Sequence, residues 1–565
     1  MRLADWLVLC GSLAFVVLYG LWRGRGSDTV HKYLLAGKTM PWYAMALSIM
    51  ATQASAVTFI STTGQAYVDG MRFVQFYFGL PLAMVILSAT AVPIFHRANV
   101  YTAYEYLERR FDARTRALVS VIFLIQRGLA LGITLYAPAV VLTVILGWPE
   151  RVTILIMGAV AVLYTTFGGA KTVAWTDFLQ MMVMTAGLLA ALIAAVLLLP
   201  SGVSFGDVFT LAGAAGRLNA VTLPTDWKDR YNLWSGLIGG MFLALAYFGC
   251  DQSQVQRYLS GKSIAQSRLS LLFNGMAKVP MQFFILFIGA VVFVFYIFEK
   301  PPLLFQNTEL ARIQQPALAA EYLPLEQRYD AAFTGRKAAA EQLLQARHTD
   351  DSRMWQEGLA RYRDAQNAMD TARSQGVGLV ARAGGEKGLV DTNYIFLTFV
   401  TRHLPAGLVG LVLAVIFGAT MAAISAESSS LATVSMVDLY KRHFRRVAPD
   451  RHYLNVSRLA TVFWGCYAVV TAELARKLGS LVEAVNVLGS FFYGGMLGVF
   501  VLAFFFPRAR ARGAFYGVLA GEAVIFAAYF FTNIAYLWYN VVGCLVVVAT
   551  GVLISRLERS SAPAV

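Results

Sequence analysis

The sequence predicts an all-α integral membrane protein with about thirteen transmembrane helices, and three observations lead to this class. Of its residues, 58% are hydrophobic and 14% are charged, whereas soluble domains carry about 25% charged residues. The apolar residues form runs long enough for a helix of about twenty residues to cross the hydrocarbon. Arginine and lysine are concentrated in alternate gaps between those runs.

The apolar runs give thirteen candidate spans. The first, Trp6 to Trp22, has no small-residue cleavage site after it, so we expect a retained helix rather than a signal peptide. The other spans are expected at 41–67, 73–95, 116–147, 151–168, 174–200, 233–255, 269–298, 404–437, 453–476, 481–506, 513–532 and 535–555.

The basic residues predict the orientation of the chain. With the N-terminus outside, an odd number of crossings leaves the C-terminus in the cytoplasm, and the gaps on the cytoplasmic side then hold most of the arginine and lysine. The net charge of +15 arises largely in these gaps, so we expect the lipid bilayer of a plasma or inner membrane as partner, and no nucleic acid.

No motif indicates an enzyme or a bound cofactor. The four cysteines lack CxxC spacing and the six histidines form no HExxH set. GKS at 261–263 lacks the earlier glycine of a P-loop, because Gln256 stands there. ATP-driven pumping is therefore disfavoured.

Residues 39–68 are predicted to form an interrupted transmembrane helix that lines a binding site near the bilayer midplane. No charged residue occurs between Lys38 and Asp69, yet Ser, Thr and Gln side chains interrupt the apolar run. Such groups are costly in lipid unless they face protein or a wet cavity. The alternative is an unbroken helix whose hydroxyls bond to neighbouring helices.

Four ionisable residues stand out inside the spans: Arg127, Asp177, Lys278 and Glu427. A charge at the bilayer centre costs about 2.5–3.5 kcal/mol on insertion scales, and two positive and two negative residues could pair internally. The alternatives are a position nearer the membrane face for Asp177 and Glu427, and snorkelling for Lys278.

Residues 299–391 are polar, Ala-rich and mixed in charge, unlike every other gap. Most are good helix formers, so we expect two helices, near 325–346 and 352–374, in a small external hairpin. A solvated structural insert is the favoured interpretation.

Several motifs, in the right order, resemble the sodium/solute symporter family. TTFGGAKTVAWTDFLQ at 165–180 is similar to the family's GG–AV–WTD–Q signature, and ATQASAVTFISTTGQAY at 51–67 resembles the first core helix of its vitamin and monocarboxylate carriers. YFGCDQSQVQRYLSGKS at 247–263 resembles the end of the sixth core helix, and MVDLYKRHF at 436–444 the end of the eighth.

This resemblance implies a LeuT-type fold, with two five-helix repeats of opposite topology and a binding site between the interrupted first helices of the two repeats. The first repeat would occupy 41–200 and the second 233–506, interrupted by the extracytoplasmic insert at 299–391. One extra transmembrane helix would precede them at 1–26, and two would follow at 513–555. The implied function is cation-coupled symport of a small polar organic solute by alternating access, with Na⁺ as the expected coupling ion. The alternatives are an H⁺-coupled or Na⁺-independent transporter and a transporter-like sensor.

The resemblance places a sodium site between the first and eighth core helices. Ala51 and Ala54 match positions that offer backbone carbonyls on the first helix, and Ala419 matches a carbonyl position on the eighth. The two hydroxyl positions fall on Ala422 and Ala423, which leaves a hard cation short of oxygen ligands.

Another group is therefore expected to offset the missing hydroxyls. Glu427 lies one turn further along the eighth core helix, and Asp177 and Ser425 match a second sodium site of some family members. Alternatively Glu427 takes a proton, and transport is coupled to H⁺.

The substrate positions that the resemblance implies are Gln53, Thr58, Tyr247, Lys278 and Asn486. Ala244 replaces an asparagine that contacts sugar in related carriers. Because the Lys278 ammonium could pair with a carboxylate, an organic anion is slightly favoured over a sugar or an amino acid.

Overall fold

The described part of the chain is all-α. The computed structural model describes residues 2–26, 29–385, 389–475 and 481–560, so residues 386–388 of the predicted insert and residue 476 of the predicted span 453–476 lie outside it. The first ten helices are α1 (Leu3–Arg23), α2 (Val30–Leu35), α3 (Trp42–Gln53), α4 (Ala56–Asp69), α5 (Leu80–Ala89), α6 (Ala91–Ala98), α7 (Ala103–Arg110), α8 (Ala113–Leu146), α9 (Glu150–Leu197) and α10 (Phe205–Ala214).

The remaining helices contain the second broken helix, the insert and the C-terminal bundle. They are α11 (Gly240–Gly249), α12 (Gln252–Leu259), α13 (Ile264–Phe298), α14 (Asn307–Ile313), α15 (Ala319–His348), α16 (Ser352–Arg382), α17 (Thr392–His403), α18 (Leu408–Val434), α19 (Asp450–Ala475), α20 (Leu481–Phe505), α21 (Ala511–Phe531) and α22 (Leu537–Ser560).

The helix predicted over residues 39–68 is interrupted at its middle. α3 ends at Gln53, and Ala54 leaves the helical region with φ −88° and ψ 61° before α4 begins at Ala56. The Thr58 hydroxyl donates to the Gln53 carbonyl across the gap, at 3.1 Å. The alternative of an unbroken helix is therefore wrong.

A second interruption divides the predicted span 233–255. α11 ends at Gly249 and α12 begins at Gln252, with Asp251 in an extended conformation between them. The Asp251 carboxylate accepts a hydrogen bond from the Ser253 backbone N–H at 2.8 Å. Asp251 therefore caps α12, as aspartate commonly does at helix N-termini.

α9 contains two predicted spans, 151–168 and 174–200, joined at a kink. Gly169 has φ 67° and ψ 171° inside the helix, a conformation that non-glycine residues rarely adopt. A Cβ atom at Gly169 would also lie 3.0 Å from the Tyr33 ring. The paired glycines of the 165–180 motif thus mark the place where the chain bends around α2.

Nine helices within the described ranges are long and apolar enough to cross a membrane. The larger number of predicted spans is compatible with this finding, because the spans at 41–67 and 233–255 are each broken into shorter helices. The span at 151–168 lies before the kink in α9, and α19 is more polar.

The insert contains the two expected helices, α15 and α16, which are longer than predicted and pack against each other. Arg336 of α15 is buried and donates to the Tyr296 carbonyl near the end of α13, at 2.5 Å. Arg347 of α15 pairs with Asp207 of α10, at 3.3 Å. These contacts attach the insert to the helical bundle.

Candidate functional site

A cavity of about 120 Å³ lies at the interruption between α3 and α4. A single water needs only about 10–15 Å³, so the cavity has room for a larger guest. Its wall also contains side chains from α8, α11, α18 and α20. Polar lining residues are Thr52, Gln53, Ser55, Thr58, Thr134 and Asn486, and the aromatic ones are Phe76, Tyr77, Tyr247, Phe248 and Tyr493.

Four of the five predicted substrate residues line this cavity: Gln53, Thr58, Tyr247 and Asn486. Gln53 donates to the Asn274 side chain of α13 at 3.3 Å, and the Asn486 amide donates to the Val482 carbonyl at 2.8 Å. The Tyr247 hydroxyl accepts from Gln254 at 2.7 Å. The two broken helices thus contribute polar side chains to one cavity.

The fifth predicted substrate residue, Lys278, is fully buried and does not line the cavity. Its Nζ lies 5.5 Å from the centre of the Tyr77 ring, and Tyr77 itself is in the cavity wall. Among the described residues Nζ has no hydrogen-bond partner. Snorkelling is therefore wrong for this lysine, and its contact with substrate stays a prediction.

Arg127 and Glu427 form a buried ion pair in the cavity wall. Arg127 Nη1 donates to Glu427 Oε1 at 3.0 Å, and the exposed fractions of the two residues are 3% and 6%. The other end of the guanidinium pairs with Asp251, in the second helix interruption. Tyr493 donates to the same Asp251 carboxylate at 3.0 Å. This ion-pair cluster joins α8, α18, α20 and the loop before α12.

Asp251 and Tyr493 were not among the predicted site residues. Asp251 lies inside the predicted span 233–255, so its charge alone could have marked it by the criterion that found Arg127 and Glu427. Tyr493 carried no comparable signal, because an aromatic residue in an apolar run is usually a packing residue.

The predicted sodium positions lie in the last turn of α3 and just after it, and on α18, which packs against α3. Ala51, Ala54, Ala419 and Ala422 are buried, and Ala423 lines the cavity. The carbonyls in the last turn of a helix lack intrahelical donors, which makes them available to a cation. The end of α3 can therefore offer the backbone carbonyls that the predicted sodium site requires, but α18 does not supply the two hydroxyls that are missing at Ala422 and Ala423.

Asp177 is fully buried and accepts a hydrogen bond from Ser48 of α3 at 2.6 Å. Arg257 of α12 lies 3.5 Å from the same carboxylate oxygen. Ser425 donates to the Ala422 carbonyl at 3.1 Å. Asp177 and Glu427 therefore both lie inside the protein, and their part in a second cation site stays a prediction.

Two broken helices beside a cavity that is partly lined by polar and charged side chains are typical of the membrane-embedded core of a secondary transporter. The family model of the sodium:solute symporter family matches residues 33–321 and 373–521. The chain belongs to this family, which contains transporters rather than enzymes.

Individual relatives agree with this assignment. The chain is 28% identical to the human (Homo sapiens) sodium-coupled monocarboxylate transporter 1 over 523 residues, covering 92% of this chain and 72% of that one. It is 25% identical to the sodium/sialic acid symporter SiaT of Proteus mirabilis over 561 residues, covering 98% and 95%. A substrate-bound, outward-open structure of a Na⁺-coupled sialic acid symporter superposes with a TM-score of 0.76 at 23% identity, covering 98% of each chain. The predicted LeuT-type fold class is confirmed.

Proposed function

We propose that the chain couples a sodium gradient to the uptake of a small polar organic solute, and that the cavity at the interruption between α3 and α4 is its transport site. The observation that carries this proposal is the position of the cavity, which both broken helices approach. Unpaired backbone groups at such breaks can bind ions and polar solutes inside a membrane.

The cavity chemistry narrows the class of solute. Arg127 and Glu427 supply one charge of each sign, while the aromatic side chains supply flat apolar surfaces. A solute of matching chemistry carries a carboxylate that the buried Lys278 can attract, together with an apolar body. Relatives named as carriers of monocarboxylates and sialic acid point to the same class of organic acid.

The repeat boundaries and the membrane orientation belong to the same proposal. Repeats at 41–200 and 233–506 each begin with a broken helix, as inverted repeats of such transporters do. The N-terminus would lie outside, the C-terminus and the basic gaps in the cytoplasm, and the insert at 299–391 outside.

Two steps test the function. Purified protein is screened by thermal unfolding against organic acids, amino acids and sugars, in sodium chloride and in choline chloride, because a ligand stabilises the state that it binds. A solute that raises the unfolding midpoint more in sodium is then offered to proteoliposomes. We expect uptake driven by an inward sodium gradient.

Uptake that is unchanged when sodium is removed but rises with a proton gradient would favour the H⁺-coupled alternative. Stabilisation by a solute without any uptake would favour the sensor. Neither result would contradict the fold assignment, so the experiment tests the function alone.

A further inference from the structure

The ion-pair cluster in the cavity wall contains one carboxylate more than it has cations. Arg127 lies between Asp251 and Glu427, and neither carboxylate has another ion-pair partner within the described ranges. All three side chains are more than nine-tenths buried. A buried charge is expensive unless a partner neutralises it, so the cluster lacks one positive charge.

The missing charge belongs on the Glu427 side of the cluster. Asp251 is satisfied by Arg127, by Tyr493 at 3.0 Å and by the Ser253 N–H and hydroxyl at 2.8 and 2.6 Å. Glu427 receives Arg127 Nη1 and lies beside the Thr134 hydroxyl, and its second oxygen, Oε2, has no hydrogen-bond partner among the described residues. Asp251 does not line the cavity, whereas Glu427 does.

No other charged residue is available to Glu427 in the described cavity wall, where Arg127 and Glu427 are the charged side chains. Tyr247 and Tyr493 face Arg127 and Asp251 with hydroxyls and rings. Lys278 lies against Tyr77 and forms no ion pair in the described part of the chain. The Thr134 hydroxyl, also in the wall, donates to the Ala130 carbonyl.

We propose that a monovalent cation, with sodium as the expected source, binds against the Glu427 carboxylate at the cavity wall, and that Asp251 prepares this site by engaging Arg127. The Thr134 hydroxyl beside Glu427 can supply one oxygen to a hard cation, and the last turn of α3, which lines the same cavity, can supply backbone carbonyls. The proposal rests on the proposed function only in taking the cavity as the transport site. In related carriers, hydroxyl side chains at the positions of Ala422 and Ala423 bind sodium. Here the Glu427 carboxylate would take their place as the ligand.

The experiment measures cation binding to the purified full-length protein without solute and without a gradient. Radioactive sodium binding is measured at equilibrium, and thermal unfolding is followed as sodium chloride replaces choline chloride at constant ionic strength and pH. For Glu427→Gln and for Asp251→Asn we expect the sodium affinity to fall at least tenfold. Glu427→Asp keeps the charge and is expected to retain sodium binding.

Asp251→Asn tests the proposal more strictly than Glu427→Gln does, because it alters the charge of the cluster without removing the proposed sodium ligand. Asparagine caps helices as well as aspartate does, so α12 keeps its N-cap. The change removes a charge that does not line the cavity, and it leaves Arg127 to neutralise Glu427 alone. A loss of sodium affinity in this variant therefore reports the charge balance rather than a missing ligand.

Glu522→Gln is the matched control. Glu522 of α21 packs against Gly495 away from the cavity, and its carboxylate oxygens have no hydrogen-bond partner among the described residues. We expect this variant to bind sodium like the wild type. Unchanged sodium affinity in folded Glu427→Gln or Asp251→Asn would overturn the proposal.

A second salt arm distinguishes the source of the positive charge. In one outcome, methylammonium chloride stabilises the wild type but not Glu427→Gln, while sodium chloride stabilises neither protein. In that case the cation site exists, and its occupant is an ammonium group of the solute. If no cation stabilises the wild type more than it stabilises Glu427→Gln, the site does not exist. Because no solute is present, either result leaves the transport proposal to be tested separately.

Discussion

At the scale of single residues, the buried charges are the most informative feature of the chain. Their cost in an apolar medium made Arg127, Asp177, Lys278 and Glu427 visible in the sequence. Which of them pair could not be predicted, because Arg127 and Glu427 are 300 positions apart and meet only after folding. Asp251, the other partner of Arg127, was recognised only in the structure.

Replacing Arg127 by glutamine is expected to destabilise the protein strongly. The change leaves the Asp251 and Glu427 carboxylates buried together without a cation, and breaking a buried ion pair in this way costs about 3–5 kcal/mol. Thermal unfolding in detergent measures the loss. Arg151→Gln is the control, since its pair with Glu473 is exposed and is worth about 1 kcal/mol or less. Equal effects of the two changes would contradict the assigned cluster.

Replacing Lys278 by methionine separates a functional role from a structural one. The lysine is buried and its Nζ has no hydrogen-bond partner among the described residues, so an apolar side chain of similar length should not destabilise the protein. If the ammonium binds a solute carboxylate, the apparent affinity should fall about tenfold or more. Unaltered solute affinity in uptake assays would show that Lys278 has no part in substrate binding.

Replacing Ala422 and Ala423 by serine tests the positions assigned to the sodium site. Ala422→Ser combined with Ala423→Ser adds two hydroxyl oxygens on α18 at the positions assigned to the sodium site, so sodium affinity should rise about tenfold. A serine hydroxyl in a helix can bond to a carbonyl one turn earlier, so the change should be tolerated. Sodium binding that does not change would place the site elsewhere.

At the scale of elements, hydropathy predicted the positions of the membrane helices well. Most predicted spans agree with the helices, because lipid requires long apolar segments with internally satisfied backbone groups. The interruption after Gln53 was predicted from the polar residues around it. The interruption at Cys250 and Asp251 was expected only from the resemblance, because GCDQ at 249–252 follows an ordinary apolar run.

Replacing Gly169 by alanine should destabilise the kink in α9. Alanine would need the same positive φ, and its Cβ would press on the Tyr33 ring. Such strained conformations cost about 1–3 kcal/mol. Thermal unfolding compared with Gly11→Ala, where a Cβ meets no atom within 4 Å, measures the difference. A Gly169→Ala protein as stable as Gly11→Ala would show that α9 can straighten.

At the scale of the whole molecule, the chain builds one cavity with polar and charged residues in its wall from helices distant in sequence. α3, α4, α8, α11, α18 and α20 all contribute to its wall. The motifs were sufficient to predict the family and the fold, because motif order constrains the arrangement of the whole bundle. The solute could not be predicted in the same way, because its specificity depends on a few side chains that the fold leaves free to vary.

The most direct test of this account asks whether the cavity opens to the two sides of the membrane in turn. A single cysteine replaces Ala244, a cavity-lining residue, in a protein whose four native cysteines are changed to serine or alanine. Membrane-impermeant thiol reagents are applied to either face of proteoliposomes, with sodium or with choline. We expect labelling from both faces, and sodium should shift the preference toward one of them, because a coupling ion must favour one conformation. Labelling from a single face, unaffected by sodium and by any transported solute, would contradict the account.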